Sequence, residues 1–204
     1  MKKIFLIIFL LFSYASFSQD KSAVDLLNSI QKKFNSFNYL SADFSQRIIA
    51  SNNFRGTELA GKFYYKKDGA YRIEIKNRVL LNDGKNIYNI DNRLSRVVIS
   101  NIDDAASSFS LQKIVFEYPK KCKVILLEED GAKILEMSSN DNSLSFKKVF
   151  LYTKEDNIPS EVKIIDLAGN QTIIRLNNIV INAIIPATKF IYNEMKGFEI
   201  VDLR

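Results

Sequence analysis

Two hydrophobic patterns follow one another along the chain and predict one helix followed by many strands. Between residues 22 and 37 the apolar residues recur at helical spacing: Val24, Leu27, Ile30, Phe34 and Phe37. This spacing places them on one face of an amphipathic helix. Ser22, followed three residues later by Asp25, is typical of a capped helix start.

From Leu40 onward, apolar and polar residues alternate in short runs. In the run YRIEIK (71–76), alternation sends Tyr71, Ile73 and Ile75 to one side of a strand and three charged residues to the other. Turn sequences such as NDG (82–84) and EDG (129–131) separate the runs. The pattern predicts about nine to eleven antiparallel strands in a barrel, a part-closed barrel or a sandwich.

The apolar faces of the helix and strands allow two interpretations. The chain contains 15 Phe and 9 Tyr, which either fill an ordinary core or line a cavity kept apolar for a ligand. Alternation is the same in both cases, so at this point both remain open.

One segment does not alternate, NIDDAASSFSLQKIVFEY (101–118). Its two acids and two alanines favour a short helix over residues 103–109, which would form a lid between strands. A plain connecting loop is the alternative.

The first residues have the pattern of a secretion signal. Lys2 and Lys3 precede an unbroken apolar run at residues 4–12, and small residues at positions 16 and 18 favour cleavage before Gln19. The run is shorter than the roughly 20 apolar residues that cross a bilayer. We therefore expect a signal peptide at residues 1–18 and one exported domain at residues 19–204. A bacterial lipoprotein carries a lipid-modified cysteine where Gln19 stands, so the mature chain is expected to be untethered.

The composition excludes much chemistry. The chain contains no histidine, which removes histidine bases, the usual serine and cysteine triads and most zinc sites. Its single cysteine, Cys122, has no partner for an intramolecular disulfide. The acids Glu128, Glu129 and Asp130 precede a glycine, where a solvated turn explains them better than a catalytic pair or a calcium loop. The sequence predicts no enzyme, no cofactor and no metal site.

The charge is mildly basic. Removing the signal takes away two of the 29 basic residues and none of the 23 acidic ones, which leaves a net charge of +4. Basic and acidic residues are interspersed, so no nucleic-acid surface is expected. Weak attraction to anionic lipid headgroups stays open.

Five segments, in order, resemble the LolA family, the periplasmic carriers of outer-membrane lipoproteins. In LSADFSQ, the residues Ala42, Phe44 and Gln46 match a small-x-Phe-x-Gln signature. The pair Tyr71-Arg72 is similar to the family's third strand. The other three segments are GKFYYK (61–66), LLNDGKNIYNID (80–91) and ATKFIYNEMKGFEIVD (187–202).

The resemblance implies a mainly β fold: an incomplete, half-open antiparallel barrel, with the N-terminal helix and a short lid helix over the open side. It also implies that the concave face binds acyl chains. The candidate lining residues are Phe34, Phe37, Leu40, Phe44, Phe63, Tyr65, Tyr71, Ile73, Tyr88 and Ile90. A one-residue slip in a strand would reverse its contribution.

The chain departs from the family at two places. Lys67 aligns with an arginine that holds the lid closed in many members, and lysine lacks the planar multi-donor group of arginine. Lys67 is therefore either a weaker lid latch or only a turn lysine. Asn193-Glu194 stands where prolines are common, so the chain end is expected to pack differently.

The function implied is a periplasmic, monomeric carrier that shuttles lipoproteins from the inner to the outer membrane. Its implied partners are acylated lipoproteins, an inner-membrane lipoprotein-releasing ABC transporter, and an outer-membrane acceptor or the membrane itself. The alternatives are a related half-barrel that binds another lipid or glycolipid or senses acyl chains, an exported carboxylate-dependent hydrolase, and a structural surface domain.

Overall fold

The computed structural model describes residues 20–102, 110–139, 144–154 and 156–204. The predicted signal peptide and the predicted lid helix at 103–109 lie outside the described residues. The elements, in chain order, are α1 (Lys21–Asn35), β1 (Tyr39–Ile49), β2 (Leu59–Lys66), β3 (Tyr71–Ile75), β4 (Arg78–Asn82), β5 (Asn86–Asp91), β6 (Arg96–Asn101), a π-helix (Lys113–Glu117), a 3₁₀ turn (Tyr118–Lys120), β7 (Cys122–Glu129), β8 (Ala132–Ser139), β9 (Phe146–Thr153), β10 (Pro159–Asp166), β11 (Gln171–Ile181), a second 3₁₀ turn (Ala187–Phe190) and β12 (Glu199–Asp202).

The N-terminal helix forms as predicted, but its cap and buried face differ from the prediction. Asp20, rather than Ser22, is the N-cap, and its carboxylate accepts hydrogen bonds from the amides of Ser22 and Ala23 at 3.0 and 3.4 Å. The buried residues of α1 are Ala23, Leu26, Ile30 and Phe34. The buried face is thus rotated away from Val24 and Leu27, which are only half-buried.

The described strands form one open sheet of twelve strands, in the order β12-β6-β5-β4-β3-β2-β1-β11-β10-β9-β8-β7. Every neighbouring pair is antiparallel except β12 and β6, which are parallel. The predicted mainly β, open antiparallel architecture is confirmed, and the predicted nine to eleven strands are too few. The sequence of β12, EIVD, does not alternate between apolar and polar residues, so it gives no strand signal.

The sheet curves around α1. The helix begins at β7, where the Leu126 amide donates to the Asp20 carboxylate at 3.1 Å, and it ends at β2, where Phe34 packs on Tyr65. Six strand spacings separate β7 from β2, about 29 Å in a flat sheet. A helix of 15 residues is about 22 Å long. The helix therefore bridges the concave side, which we call the inner face.

The chain after β11 crosses the outer face of the sheet. In this C-terminal segment (182–198), Phe190 stacks on Tyr39 with ring centroids 6.1 Å apart, and Tyr192 stacks on Tyr88 at 4.3 Å. The segment then joins the far edge of the sheet as β12, beside β6. It covers a second, smaller apolar cluster on the outer face: Leu81, Tyr88, Ile90, Val97 and Ile99.

One carboxylate ties the C-terminal segment to the sheet. Glu74 accepts hydrogen bonds from Lys189 Nζ at 2.7 Å and from Arg72 Nε at 2.6 Å. Partial burial opposes ionisation, but these two bonds outweigh it and hold the pKa of Glu74 below its ordinary value. The ionised carboxylate therefore stabilises the fold.

We expect Glu74→Gln to lower the free energy of unfolding at pH 7 by about 1 kcal/mol or less, because both partners are partly solvated. Because the folded-state pKa is lowered, this stabilisation is present above the unfolded-state pKa of about 4.3 and is lost as pH falls through the folded-state value. Urea unfolding from pH 7 to pH 3 should show a shallower acid loss in the variant. Glu128→Gln, at an exposed acid without an ion pair among the described residues, is the control, and equal pH profiles for both variants would contradict the expectation.

Candidate functional site

The inner face of β1, β2 and β3 carries a group of large apolar side chains in register. Tyr65 lies opposite both Tyr71 on β3 and Leu40 on β1. Phe63 lies opposite Ile73 in the same way. Because facing residues in a sheet project to the same side, these side chains form one continuous apolar surface, which we call the aromatic floor.

Two phenylalanines cover the aromatic floor: Phe34 in the last turn of α1 and Phe37 just after the helix. The ring of Phe34 lies 5.4 Å from Phe37, 5.8 Å from Tyr65 and 6.3 Å from Phe116, measured between centroids. Phe37 itself lies 6.3 Å from Tyr65. The rings are tilted or edge-on, the geometry that aromatic pairs favour. The space between the helix and these strands is therefore filled by side chains.

Eight of the ten residues predicted to line a cavity lie together in this buried cluster: Phe34, Phe37, Leu40, Phe44, Phe63, Tyr65, Tyr71 and Ile73. The structure brings them together as expected. Whether they contact acyl chains stays a prediction.

The other two predicted residues, Tyr88 and Ile90, lie on the opposite side of the sheet. The register pairs Tyr88 with Leu81, and Leu81 with Arg72, which neighbours the inward-facing Tyr71 and so projects outward. Both belong to the outer cluster under the C-terminal segment. Their strand presents Ile87 to the inner side instead, because a shift of one residue exchanges the two faces.

The far half of the inner face was not identified from the sequence. Strands β7–β11 contribute a second set of buried residues to the same cluster: Val124, Leu135, Met137, Val149, Leu151, Val162, Ile174 and Leu176. The signal was present in their spacing, since Leu135 and Met137, like Val149 and Leu151, stand two residues apart. The apolar surface thus runs from β3 to β7.

The π-helix also lies over the inner face. We call α1, Phe37 and the π-helix together the cover. The π-helix residues Ile114 and Val115 are fully buried in the cluster. Two long-range hydrogen bonds hold this part of the chain: Tyr65 Oη donates to Gln112 Oε1 at 2.7 Å, and Gln31 Nε2 donates to the Val115 carbonyl at 2.9 Å. Burial raises the pKa of Tyr65, so its hydroxyl stays protonated and able to donate.

Lys67 contacts the end of α1. Its ammonium group donates to the carbonyl of Asn35, the last residue of the helix, at 2.7 Å, and its amide donates to the Asn38 carbonyl at 2.9 Å. A cation at a helix C-terminus also interacts favourably with the helix dipole. Lys67 therefore fastens α1 to the β2–β3 turn. Its predicted contact with the lid concerns residues outside those described and stays a prediction.

Two of the surface concavities lie away from this cluster, whereas a third, of about 460 Å³, opens between α1 and β7 beside Leu26. One of about 710 Å³ is formed by the β7–β8 turn and the β9–β10 connection, with polar lining residues such as Lys133 and Asp156. Another, of about 400 Å³, lies under the C-terminal segment beside Arg72 and Lys189. Neither is an extension of the apolar inner face.

The residues with potential for other chemistry are dispersed. Glu128, Glu129 and Asp130 are exposed at the end of β7. Within the described parts of the chain, no group of three acidic, cysteine or histidine residues is placed to hold a metal ion. Among the same residues, no helix is long and apolar enough to span a membrane.

The architecture is thus an open antiparallel sheet whose apolar inner face is covered by helices, and comparison with known proteins places it in a family. Residues 35–193 match the model of the outer membrane lipoprotein carrier protein LolA. The match extends over more than half of the chain, so the chain belongs to the LolA family. The resemblance seen in the sequence is confirmed.

Curated relatives agree with this assignment. The outer-membrane lipoprotein carrier protein of Legionella pneumophila (strain Lens) is 24% identical over 207 residues, covering 98% of this chain and 99% of the relative. The protein of the same name from Bordetella avium is 24% identical over 170 residues, covering 80% of each chain.

Solved structures share the fold at low sequence identity. An uncharacterized conserved protein from Thermus thermophilus superposes with a TM-score of 0.56 at 14% identity, covering 89% of this chain and 99% of that one. A putative outer membrane lipoprotein-sorting protein domain from Vibrio parahaemolyticus gives a TM-score of 0.52 at 9% identity, covering 83% and 96%. The open sheet is therefore a known fold.

Proposed function

We propose that the protein is a periplasmic carrier that binds the acyl chains of lipoproteins against its inner face and carries them from the inner to the outer membrane. The observation that carries this proposal is the apolar surface running without a break from β3 to β7 under a helical cover. The names of the curated relatives support the choice of lipoproteins as cargo.

Acyl chains need such a surface because water opposes their exposure. Each buried methylene stabilises a complex by about 0.8 kcal/mol, and the three chains of a triacylated lipoprotein contain on the order of forty methylenes. Binding these acyl chains requires a broad apolar face that excludes water from them. No catalysis is needed.

Cargo must displace the cover, because Phe34, Phe37 and the π-helix occupy the space above the aromatic floor. Near Tyr65, polar contacts tie the cover to β2 and its following turn at Gln112 and Lys67, and Gln31 joins α1 to the π-helix. The closed cover therefore competes with cargo, which lowers its affinity and favours release. We infer that an inner-membrane lipoprotein-releasing transporter loads the open form and that an outer-membrane acceptor, or the membrane itself, receives the cargo.

Binding is tested by titrating the purified chain from residue 19 onward, a monomer under this proposal, with a fluorescent fatty-acyl probe. The wild type should bind, and Tyr65→Phe should bind about 2- to 10-fold more tightly. This variant keeps the ring but removes the hydrogen bond from Tyr65 to Gln112, and so lowers the cost of opening the cover. Tyr152→Phe makes the same tyrosine change on the outer face of β9 and should leave the affinity unchanged.

Failure of both the wild type and Tyr65→Phe to bind the probe would refute the proposal. Mass spectrometry of co-purified lipid separates lipoprotein cargo from another lipid or glycolipid. In cells, depletion of the protein should leave lipoproteins at the inner membrane.

A further inference from the structure

One end of the sheet presents exposed apolar side chains at three separate strand connections. Because the strands are antiparallel, the connections after β1, β3, β5 and β10 lie at the same end, which we call the β1–β2 end. Three of them carry a large apolar residue with high exposure: Phe54 at 69%, Leu94 at 54% and Leu167 at 54%. Nothing in the described part of the chain covers these side chains.

Hydrogen bonds order the connections that present them. In the β1–β2 connection, the Ala50 amide donates to the Phe54 carbonyl at 2.9 Å. The Ser51 amide donates to Asn170 Oδ1 at 3.1 Å, which joins this connection to the β10–β11 turn that carries Leu167. Phe54 and Leu167 are thus held on neighbouring loops, and their exposure is a feature of the folded chain.

The charge of the β1–β2 end differs from that of the opposite end. Counted over described residues, its connections contain Arg55, Lys76 and Arg93 and a single acid, Glu58, which is paired with Arg47. The described residues of the opposite connections (67–70, 83–85, 130–131 and 154–158) contain three basic and four acidic residues. Arg55, Lys76 and Arg93 form no ion pair with any described residue.

We propose that the β1–β2 end docks on an anionic phospholipid bilayer, with Phe54, Leu94 and Leu167 inserted among the headgroups and Arg55 and Arg93 near the phosphates. Apolar side chains flanked by unpaired cations match the interfacial zone of such a membrane, which is apolar below and negatively charged above. This surface is separate from the inner face. Its binding to a membrane holds whether or not the inner face carries acyl chains.

The chain contains no tryptophan, so a single introduced tryptophan reports on its own surroundings. Phe54→Trp should shift its emission to the blue on vesicles of phosphatidylglycerol and phosphatidylethanolamine, and brominated lipid should quench it. Ile184→Trp, at a fully exposed position beyond the opposite end of the sheet, should show neither change. On vesicles of phosphatidylcholine alone, binding should be at least about tenfold weaker, since the charge term is lost.

Sedimentation with the same anionic vesicles tests the three side chains directly. The triple variant Phe54→Ser/Leu94→Ser/Leu167→Ser should bind at least about tenfold more weakly than the wild type, whereas the matched control Ile184→Ser should not differ from it. Arg55→Gln/Arg93→Gln should weaken binding most at low salt.

The inference is overturned if the wild type does not bind anionic vesicles, if the triple variant binds as the control does, or if tryptophan at positions 54 and 184 is quenched equally. Binding that requires protein-containing membranes and is lost in the triple variant would overturn the bilayer in favour of a membrane protein. Acyl-probe binding by the triple variant separates this outcome from the carrier proposal, because loss of vesicle binding alone leaves the inner face intact.

Discussion

Replacing Phe34 with alanine is expected to lower the free energy of unfolding by about 3–5 kcal/mol, the usual cost of removing a buried aromatic ring. The side chain is 2% exposed and its ring packs against those of Phe37, Tyr65 and Phe116. Its loss leaves a cavity between α1 and the aromatic floor that β-strand residues cannot fill without moving the backbone. Urea unfolding followed by far-UV circular dichroism measures the loss.

The matched control is Phe54→Ala, the same truncation at an exposed loop position. It should change the free energy of unfolding by less than about 0.5 kcal/mol, as surface substitutions usually do. A loss of similar size in both variants would mean that Phe34 does not close a packed interior.

Phe34→Ala also distinguishes a permanent core from a cover that cargo can displace. If the inner face accepts acyl chains, the cavity left by Phe34 should be filled by the fatty-acyl probe, and the probe should restore part of the lost stability through its binding to the folded state. A conventional core leaves a closed cavity no larger than the lost ring, which an acyl chain cannot enter, so it predicts the loss of stability with no recovery. The stability of Phe34→Ala with and without probe therefore bears on the proposed function as well as on the fold.

The strand region shows how far alternation predicts the site. In β2 and β3 the lining residues that the resemblance implied, Phe63, Tyr65, Tyr71 and Ile73, do lie on one face according to the register. In β5 the resemblance implied Tyr88 and Ile90, and the strand turns that side outward. Alternation separates two faces but does not say which is inner, and large apolar side chains occur on both faces here because the C-terminal segment covers part of the outer one.

The cover could be predicted only in part, because it depends on contacts between distant parts of the chain. The periodicity of α1 was clear, yet its rotation was set by packing against β7, β8 and the π-helix. The hydrogen bonds of Gln31 to Val115 and of Tyr65 to Gln112 span 84 and 47 residues. In the sequence, Gln31 and Gln112 look like ordinary solvated residues. No local pattern therefore predicts their long-range hydrogen bonds.

At Gly61 the backbones of β2 and β3 leave no room for a Cβ atom, and Gly61→Ala is expected to destabilise the fold at or above the upper end of the roughly 1–3 kcal/mol that overpacking costs. A Cβ on Gly61 would lie 1.9 Å from the carbonyl oxygen of Glu74 and 3.1 Å from the Cα of Ile75. Both are backbone atoms of β3, so no side-chain rotation relieves the clash. The β2 and β3 backbones would have to separate.

That separation should disturb the inner face as well as stability, because Phe63 lies two residues along β2 and faces Ile73 on β3. We therefore expect Gly61→Ala to lower the urea midpoint and to alter the near-UV circular dichroism of the aromatic floor. Gly56→Ala is the matched control, since its Cβ would meet only the Ile48 carbonyl oxygen at 3.2 Å, a contact that a shift of a few tenths of an ångström relieves. If the two variants were equally stable, the β2–β3 pair would be free to move apart, and the aromatic floor would not be the rigid surface against which the helical cover closes.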